Sequence, residues 1–302
     1  MKQQHLVGLA AVLLLLVVVA WLVGVFDSDI STVDVPELRV PAAEVDEIVL
    51  NGPEIHLVAR KSDGRWVIAE PIQGRADSAA VQRFVDGLAS TEIRSVATRN
   101  AERYSRYGVD TTAHEISVRW RGETRKLIVG DTGPTTGTRF VRLEGDEPVY
   151  VAATNFRIPT NADEWRDRNV VEIAPEDVRQ IRIERAADSF ALDRTNGNWA
   201  LAMKDMRSDA DSAAVARYLA RFDPLRADGF LEELPEAVED SIITITISLD
   251  GSEDRTLRLA PIENGVAVTI DGDDTLYRLT TRRRDLLAPE ANEFAIEEAD
   301  AS

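Results

Sequence analysis

The six residues Ala-Asp-Ser-Ala-Ala-Val stand at Ala76–Val81 and again at Ala210–Val215. An Asp beside a Ser could serve nucleophilic chemistry if a base stood between carboxylate and hydroxyl. The chain offers little to act as that base. Its three histidines are His5, His56 and His114. They are widely separated, and no H-x-x-H or H-E-x-x-H spacing exists to bind a metal. There is no G-x-S-x-G elbow either. His56 and His114 each fall inside a strand-like stretch, where a surface or half-buried structural role is expected.

Acidic clusters come next. Asp271-Gly272-Asp273-Asp274 has the oxygen ligands calcium prefers, yet lacks the D-x-[DN]-x-[DN]-G loop and its distal Glu. Glu144-Gly145-Asp146-Glu147 holds the matching place before another Tyr-bearing strand, so both read as hairpin turns. Gly130–Phe140 (GDTGPTTGTRF) is glycine-rich, but it lacks the lysine of a phosphate-cradling loop and precedes a strand. Trp66 and Trp199 have sugar-binding chemistry, but their equivalent places on returning strands point to core packing. Arg282-Arg283-Arg284 is a short basic run, read as a solvated face or helix start, with contact to an acidic partner as the alternative. Carboxylate pairing of the glycosidase kind is spatial, and sequence assigns no pair to it. No catalytic, cofactor-binding or metal residue is therefore assigned, no cofactor is expected, and the chain reads as not an enzyme.

Composition narrows the classes further. With no cysteine, disulfides, thiolate zinc sites, cysteine nucleophiles and a lipid-bearing cysteine are excluded. Fifty-three acidic residues against 35 basic ones give a net charge of -18, which argues against nucleic acid as a partner.

The elements that hold these residues make sense of the repeated hexapeptide. Asp77 or Ser78 can cap a helix, and Val81, Phe84, Val85 and Leu88 then form one apolar stripe. In the second copy Asp211 or Ser212 caps, followed by Val215, Tyr218, Leu219 and Phe222. The flanks correspond as well: Ile48 with Ile181, SDGRW (Ser62–Trp66) with TNGNW (Thr195–Trp199), and EGDEPVY (Glu144–Tyr150) with DGDDTLY (Asp271–Tyr277). Strands are expected at Asp46–Leu50, Glu54–Arg60, Arg65–Pro71, His114–Trp120, Arg125–Gly130 and Thr138–Gly145. The second copy has Ile242–Leu249, Arg255–Ala260 and Gly265–Gly272. The expected class is α+β: two tandem diverged repeats, each a mainly antiparallel sheet with one principal packed helix.

From Leu6 to Phe26 the chain is apolar and uncharged. At about 1.5 Å per residue it reaches about 30 Å, the thickness of a bilayer core. Lys2 precedes it and Asp27 and Asp29 follow, so the body should lie outside the cytoplasm. The expected organisation is a transmembrane anchor at 1–26, a stalk at 27–43 and a first repeat at 44–160. A linker at 161–173, a second repeat at 174–288 and an acidic tail at 289–302 complete it.

The anchor, an I-x-L strand, the turn Asp63–Trp66, and the helix entry Pro71, Ala76, Asp77 and Val81 succeed one another along the chain. Tyr107-Gly108-Val109-Asp110, Val129-Gly130-Asp131, Trp165-Arg166-Asp167-Arg168 and a second W…AD…V copy follow. In this order these motifs resemble those of the DUF4340 family. The second copy has no counterpart of Tyr107–Asp110. The resemblance implies a bacterial membrane-anchored protein with exported tandem domains and, commonly, a gene neighbourhood with ABC-type transporter or gliding-motility-like components, and it brings no catalytic residues. The expected function is thus an accessory or scaffold component with a protein partner in the envelope. A glycan- or polymer-binding module and a carboxylate-based hydrolase are the alternatives.

Overall fold

The computed structural model describes residues 35–204, 206–234 and 241–296. The expected anchor, the first part of the stalk and the end of the acidic tail lie outside these residues. Among the described residues no helix is long and apolar enough to cross a membrane.

The chain forms mainly antiparallel sheet with few helices. The first half contributes β1 (Glu47–Asn51), β2 (His56–Ser62), β3 (Arg65–Glu70), β4 (Gly74–Arg75), helix α1 (Ser78–Ala89) and β5 (Glu92–Thr98). It continues with β6 (His114–Trp120), β7 (Glu123–Thr132), β8 (Thr138–Leu143) and β9 (Val149–Ala153). A short β10 (Asn169–Val171) follows. The second half contributes β11 (Val178–Glu184), β12 (Ser189–Thr195), β13 (Asn198–Met203), β14 (Met206–Asp209) and helix α2 (Ser212–Leu219). Then come β15 (Leu225–Arg226), β16 (Gly229–Phe230), β17 (Ile243–Leu249), β18 (Arg255–Ile262), β19 (Gly265–Ile270), β20 (Asp273–Leu279) and helix α3 (Thr281–Leu287).

Among the described residues these make two nine-stranded sheets, β4-β3-β2-β1-β6-β7-β8-β9-β5 and β14-β13-β12-β11-β17-β18-β19-β20-β16, plus a ribbon of β10 with β15. The two orders superpose strand for strand. Register agrees as well: Ile48 faces Ala59 and Val118, while Ile181 faces Leu192 and Ile247. Period-two alternation explains the inward faces, since Ile48 and Leu50 are buried, as are Ile181 and Ile183. The β2–β3 and β12–β13 hairpins turn on Asp63-Gly64 and Asn196-Gly197. All four residues have positive φ, as two-residue turns require, and Asp-Gly and Asn-Gly reach it at low cost.

The repeated hexapeptide starts a helix in both places. Asp77 accepts the Ala80 N–H at 2.9 Å, and Asp211 accepts that of Ala213 at 2.8 Å. The stripes Val81, Phe84, Val85, Leu88 and Val215, Tyr218, Leu219 then enter separate cores. Trp66 and Trp199 are buried, as their positions predict.

Three segments expected outside the repeats contribute to these cores. Leu38 and Val40 of the stalk pack into the first, Trp165 of the linker joins them, and Phe294 of the tail enters the second. Val170, Val171 and Ile173 of the linker also enter the second. These stretches are too short to show a sustained periodicity.

Candidate functional site

Both hexapeptides also receive a returning strand. Ala76 bridges to Arg166 and Ala210 to Ala295, while Asp77 N–H donates to Trp165 O at 2.8 Å and Asp211 N–H to Phe294 O at 2.9 Å. Trp165 meets Phe84 edge-on at 4.9 Å, and Phe294 meets Tyr218 edge-on at 5.3 Å. In the first half the chain runs on through Arg166, Asp167 and Arg168 into the second, so this segment carries the seam.

Four charged or phenolic groups converge there. The Arg75 guanidinium, on the edge strand β4, donates to the Tyr277 hydroxyl oxygen at 2.6 Å and also to the Asn169 carbonyl. Arg75 lies 3.4 Å from Asp273 and 3.7 Å from Asp167. The Tyr277 hydroxyl donates to Asp273 at 2.9 Å. The backbone continues the latch, since Asp167 N–H donates to Arg75 O at 2.9 Å. Arg166 lies beneath, 5% exposed, with its guanidinium 4.1 Å from the Phe230 ring centre and 3.9 Å from Asp163. A cleft of about 640 Å³ opens beside the latch, walled by Val67, Arg75, Val171, Ile173, Arg255 and Asp273.

The electrostatics fit a clasp better than an acid–base pair. Burial pushes the Tyr277 phenol up to about 12, with the Asp273 carboxylate adding to the rise against the opposing pull of Arg75. Burial alone would raise the Asp273 carboxyl. Hydrogen bonds from Thr275 and Tyr277 and the nearby Arg75 outweigh it and hold that carboxyl below its ordinary range. Arg75 is desolvated, yet Tyr277, Asp273 and Asp167 together hold its proton more firmly than usual. A general acid or base works best with a pKa near the operating pH, and none of these is shifted toward neutrality. Burial lowers the Arg166 pKa, against Asp163, Tyr277 and Asp273.

The latch predicts an acid dependence. A depressed carboxyl stabilises the fold fully above its unfolded value, here the ordinary 3.8, and that contribution disappears as pH falls through the lower folded value. Asp273→Asn should lower stability by about 1 kcal/mol at neutral pH, because Arg75 is half exposed and partly screened. Thermal unfolding between pH 7 and pH 3 checks this. The wild-type midpoint should fall more steeply below pH 4 than the variant's, and parallel curves would remove Asp273 from the latch.

The remaining motif residues have structural partners. Gly108 takes a left-handed φ of 61° beneath the Asp131 carboxylate, and Gly130 lies against the Tyr107 carbonyl. Asp110 accepts from Thr112 N–H at 3.1 Å and from its Oγ1 at 2.8 Å. Exposed His56 bridges Asn51 and Glu70, and half-buried His114 starts β6. Arg282, Arg283 and Arg284 open helix α3. The acidic turns are hairpin turns, yet Asp273 does more than turn the chain. Its signal was present as the shared D-x-x-x-Y spacing, for Tyr150 also donates to Asp146, at 3.4 Å. Arg75 had no sequence signal. Its strand is two residues long, and its partners lie across the seam.

Together the sheets and their seam define an α+β protein built from two large, mainly antiparallel sheets joined by an ionic clasp. The family model for the domain of unknown function DUF4340 matches residues 66–241. That is more than half of the chain and reaches into both sheets, and the protein belongs to this family. Comparison with curated proteins and with solved structures returns no match.

Proposed function

We propose that the protein is a non-enzymatic, membrane-anchored, extracytoplasmic component of an envelope complex, acting as an accessory or scaffold subunit. The latch carries this reading. Arg75, Asp167, Asp273 and Tyr277 hold two sheets together, and the shifts at Arg75, Asp273 and Tyr277 all run away from neutrality. A clasp of this kind fixes the relation between two binding surfaces, which suits a protein that holds a partner.

The halves are best understood as diverged copies of one unit, from the shared strand order and the matching helix-cap contacts at Asp77 and Asp211. The apolar stretch Leu6–Phe26 serves as the single span that places them outside the inner membrane. The partner class that the family resemblance implies is an ABC-type transporter, and it is the first to test.

Affinity purification of the full chain from gently solubilised membranes provides that test. Transporter subunits should co-purify at a constant ratio and be reduced by Asp273→Asn. Failure to recover any envelope protein, or a chain that turns over a glycan substrate, overturns the reading.

A further inference from the structure

The first sheet carries a feature that its twin lacks. His114, the first residue of β6, corresponds to Ile243, the first residue of β17, through the shared pairing of Leu50 with Ile116 and of Ile183 with Ile245. The hairpin from β7 to β8 runs through residues 133–137, whereas that from β18 to β19 needs only residues 263 and 264. The longer hairpin and the segment after β9 enclose a cleft of about 540 Å³.

Its lining is cationic and hydroxylic in a protein of net charge -18. Arg139 contributes a guanidinium with no ion pair or side-chain hydrogen bond among the described residues, although Glu54 lines the same cleft. His114 stands with it. Burial first, and then the neighbouring Arg139, lower the His114 pKa, so at neutral pH the ring is a neutral donor and acceptor beside a fixed positive charge. Arg157 adds a second guanidinium, one edge of which is paired with Glu164. Burial would raise the Glu164 carboxyl, but Thr160 and Arg157 outweigh it and keep it ionised. Thr132, Thr154 and Thr160 bring hydroxyls, and Phe156 and Pro159 form an apolar wall.

The cleft is also braced before any ligand arrives. A Cβ on Gly52 would lie 2.5 Å from the His114 ring, so glycine there leaves room for the imidazole. Thr138 Oγ1 donates to Thr135 O at 2.6 Å, and Gly133 N–H donates to Thr138 O at 2.8 Å, which fixes the hairpin beside Arg139. The second sheet has the same strand order with Ile243 in the matching place and a shorter hairpin.

We propose that this cleft binds a small polyhydroxylated ligand bearing one carboxylate or phosphate group, a sugar acid or sugar phosphate. Arg139 takes the anionic group in a charge-assisted contact, His114 completes it, the threonine hydroxyls meet the ligand's own, and the apolar wall receives its carbon face. The site is separate from the seam and independent of the scaffold reading.

Calorimetric titration of the detergent-solubilised full chain tests it with four probes: glucuronate, glucose 6-phosphate, inorganic phosphate and glucose. Saturable binding of at least one acidic sugar is expected, tighter than inorganic phosphate, with glucose much weaker. The arm that binds identifies carboxylate or phosphate as the anchor. Arg139→Gln should weaken that binding about tenfold or more, Arg139→Lys less, and His114→Gln should weaken it measurably. The Asp273→Asn latch variant should bind as wild type, which separates this site from the scaffold function. No binding of either acidic sugar at millimolar concentration overturns the proposal. So does equal binding of glucose, or affinity unchanged in a folded Arg139→Gln protein.

Discussion

Gly130→Ala is expected to destabilise the first sheet by about 3 kcal/mol, although it adds a single methyl group. A Cβ at this position would fall 2.1 Å from the Tyr107 carbonyl oxygen and 2.7 Å from Val109 Cγ1. The first obstacle is backbone, so no rotamer change relieves it. The segment carrying Tyr107 is held in turn by Gly108, whose left-handed φ places it under the Asp131 carboxylate. Behind it, Val109 is fully buried in a small core with Ala113, Ile128 and Val149. Relief would require the Tyr107–Asp110 turn to lift from β7, unseating Val109 and the edge-on contact of Tyr107 with Phe140 at 4.7 Å. The two motifs therefore interlock through backbone, which gives a structural reason for their joint presence. Chemical denaturation compares the variant with Gly145→Ala. Gly145, unlike Gly130, has positive φ, 85°, but no atom near its absent Cβ, so that change carries only the strain of the turn, about 1 kcal/mol. Equal stability of the two variants would show that the contact at Gly130 is not the constraint.

Much of this architecture was legible because it is local. Alternation in β2 and β17, the Asp-Gly and Asn-Gly turns, and the capped stripes at Asp77 and Asp211 are read within a few residues, and the repetition doubled several of these signals. Trp66 and Trp199 were placed in cores by their equivalence alone. The seam was not legible. Arg75, Asp167 and Tyr277 lie far apart in the chain, and a three-residue strand such as β10 has no periodicity. Phe294 and Leu38 went unseen for the same reason, single apolar residues among polar ones. Arg139 and His114 stand on neighbouring parts of one sheet, but only the β6–β7–β8 order brings them to one cleft. The glycine-rich loop runs into β8, whereas phosphate-cradling loops present backbone N–H groups at a helix start. The chemistry proposed beside it belongs to side chains.

Trp165→Ala should cost about 3–5 kcal/mol, the range for removing a buried indole, and its consequences should reach both sheets. Trp165 is 4% exposed, and its ring closes the first core against Phe84. Its carbonyl meanwhile accepts the Asp77 N–H at the start of α1. The next two residues are Arg166, stacked on Phe230 of the second sheet, and Asp167, a partner of Arg75. A cavity at Trp165 thus loosens the anchor point from which the seam is hung. Phe294→Ala removes the equivalent ring of the second half, with contacts to Tyr218 and Phe190, but the residues that follow it make no such seam among the described ones. The two variants should therefore differ in kind. Phe294→Ala should lower stability while leaving the Asp273→Asn effect intact. Trp165→Ala should shrink that effect, because a latch on a displaced segment has less left to lose. Denaturation of the two single variants, each combined with Asp273→Asn, measures the coupling. Strict additivity in the Trp165→Ala pair would show that core and clasp are independent, and that the ring holds only the sheet on which it packs.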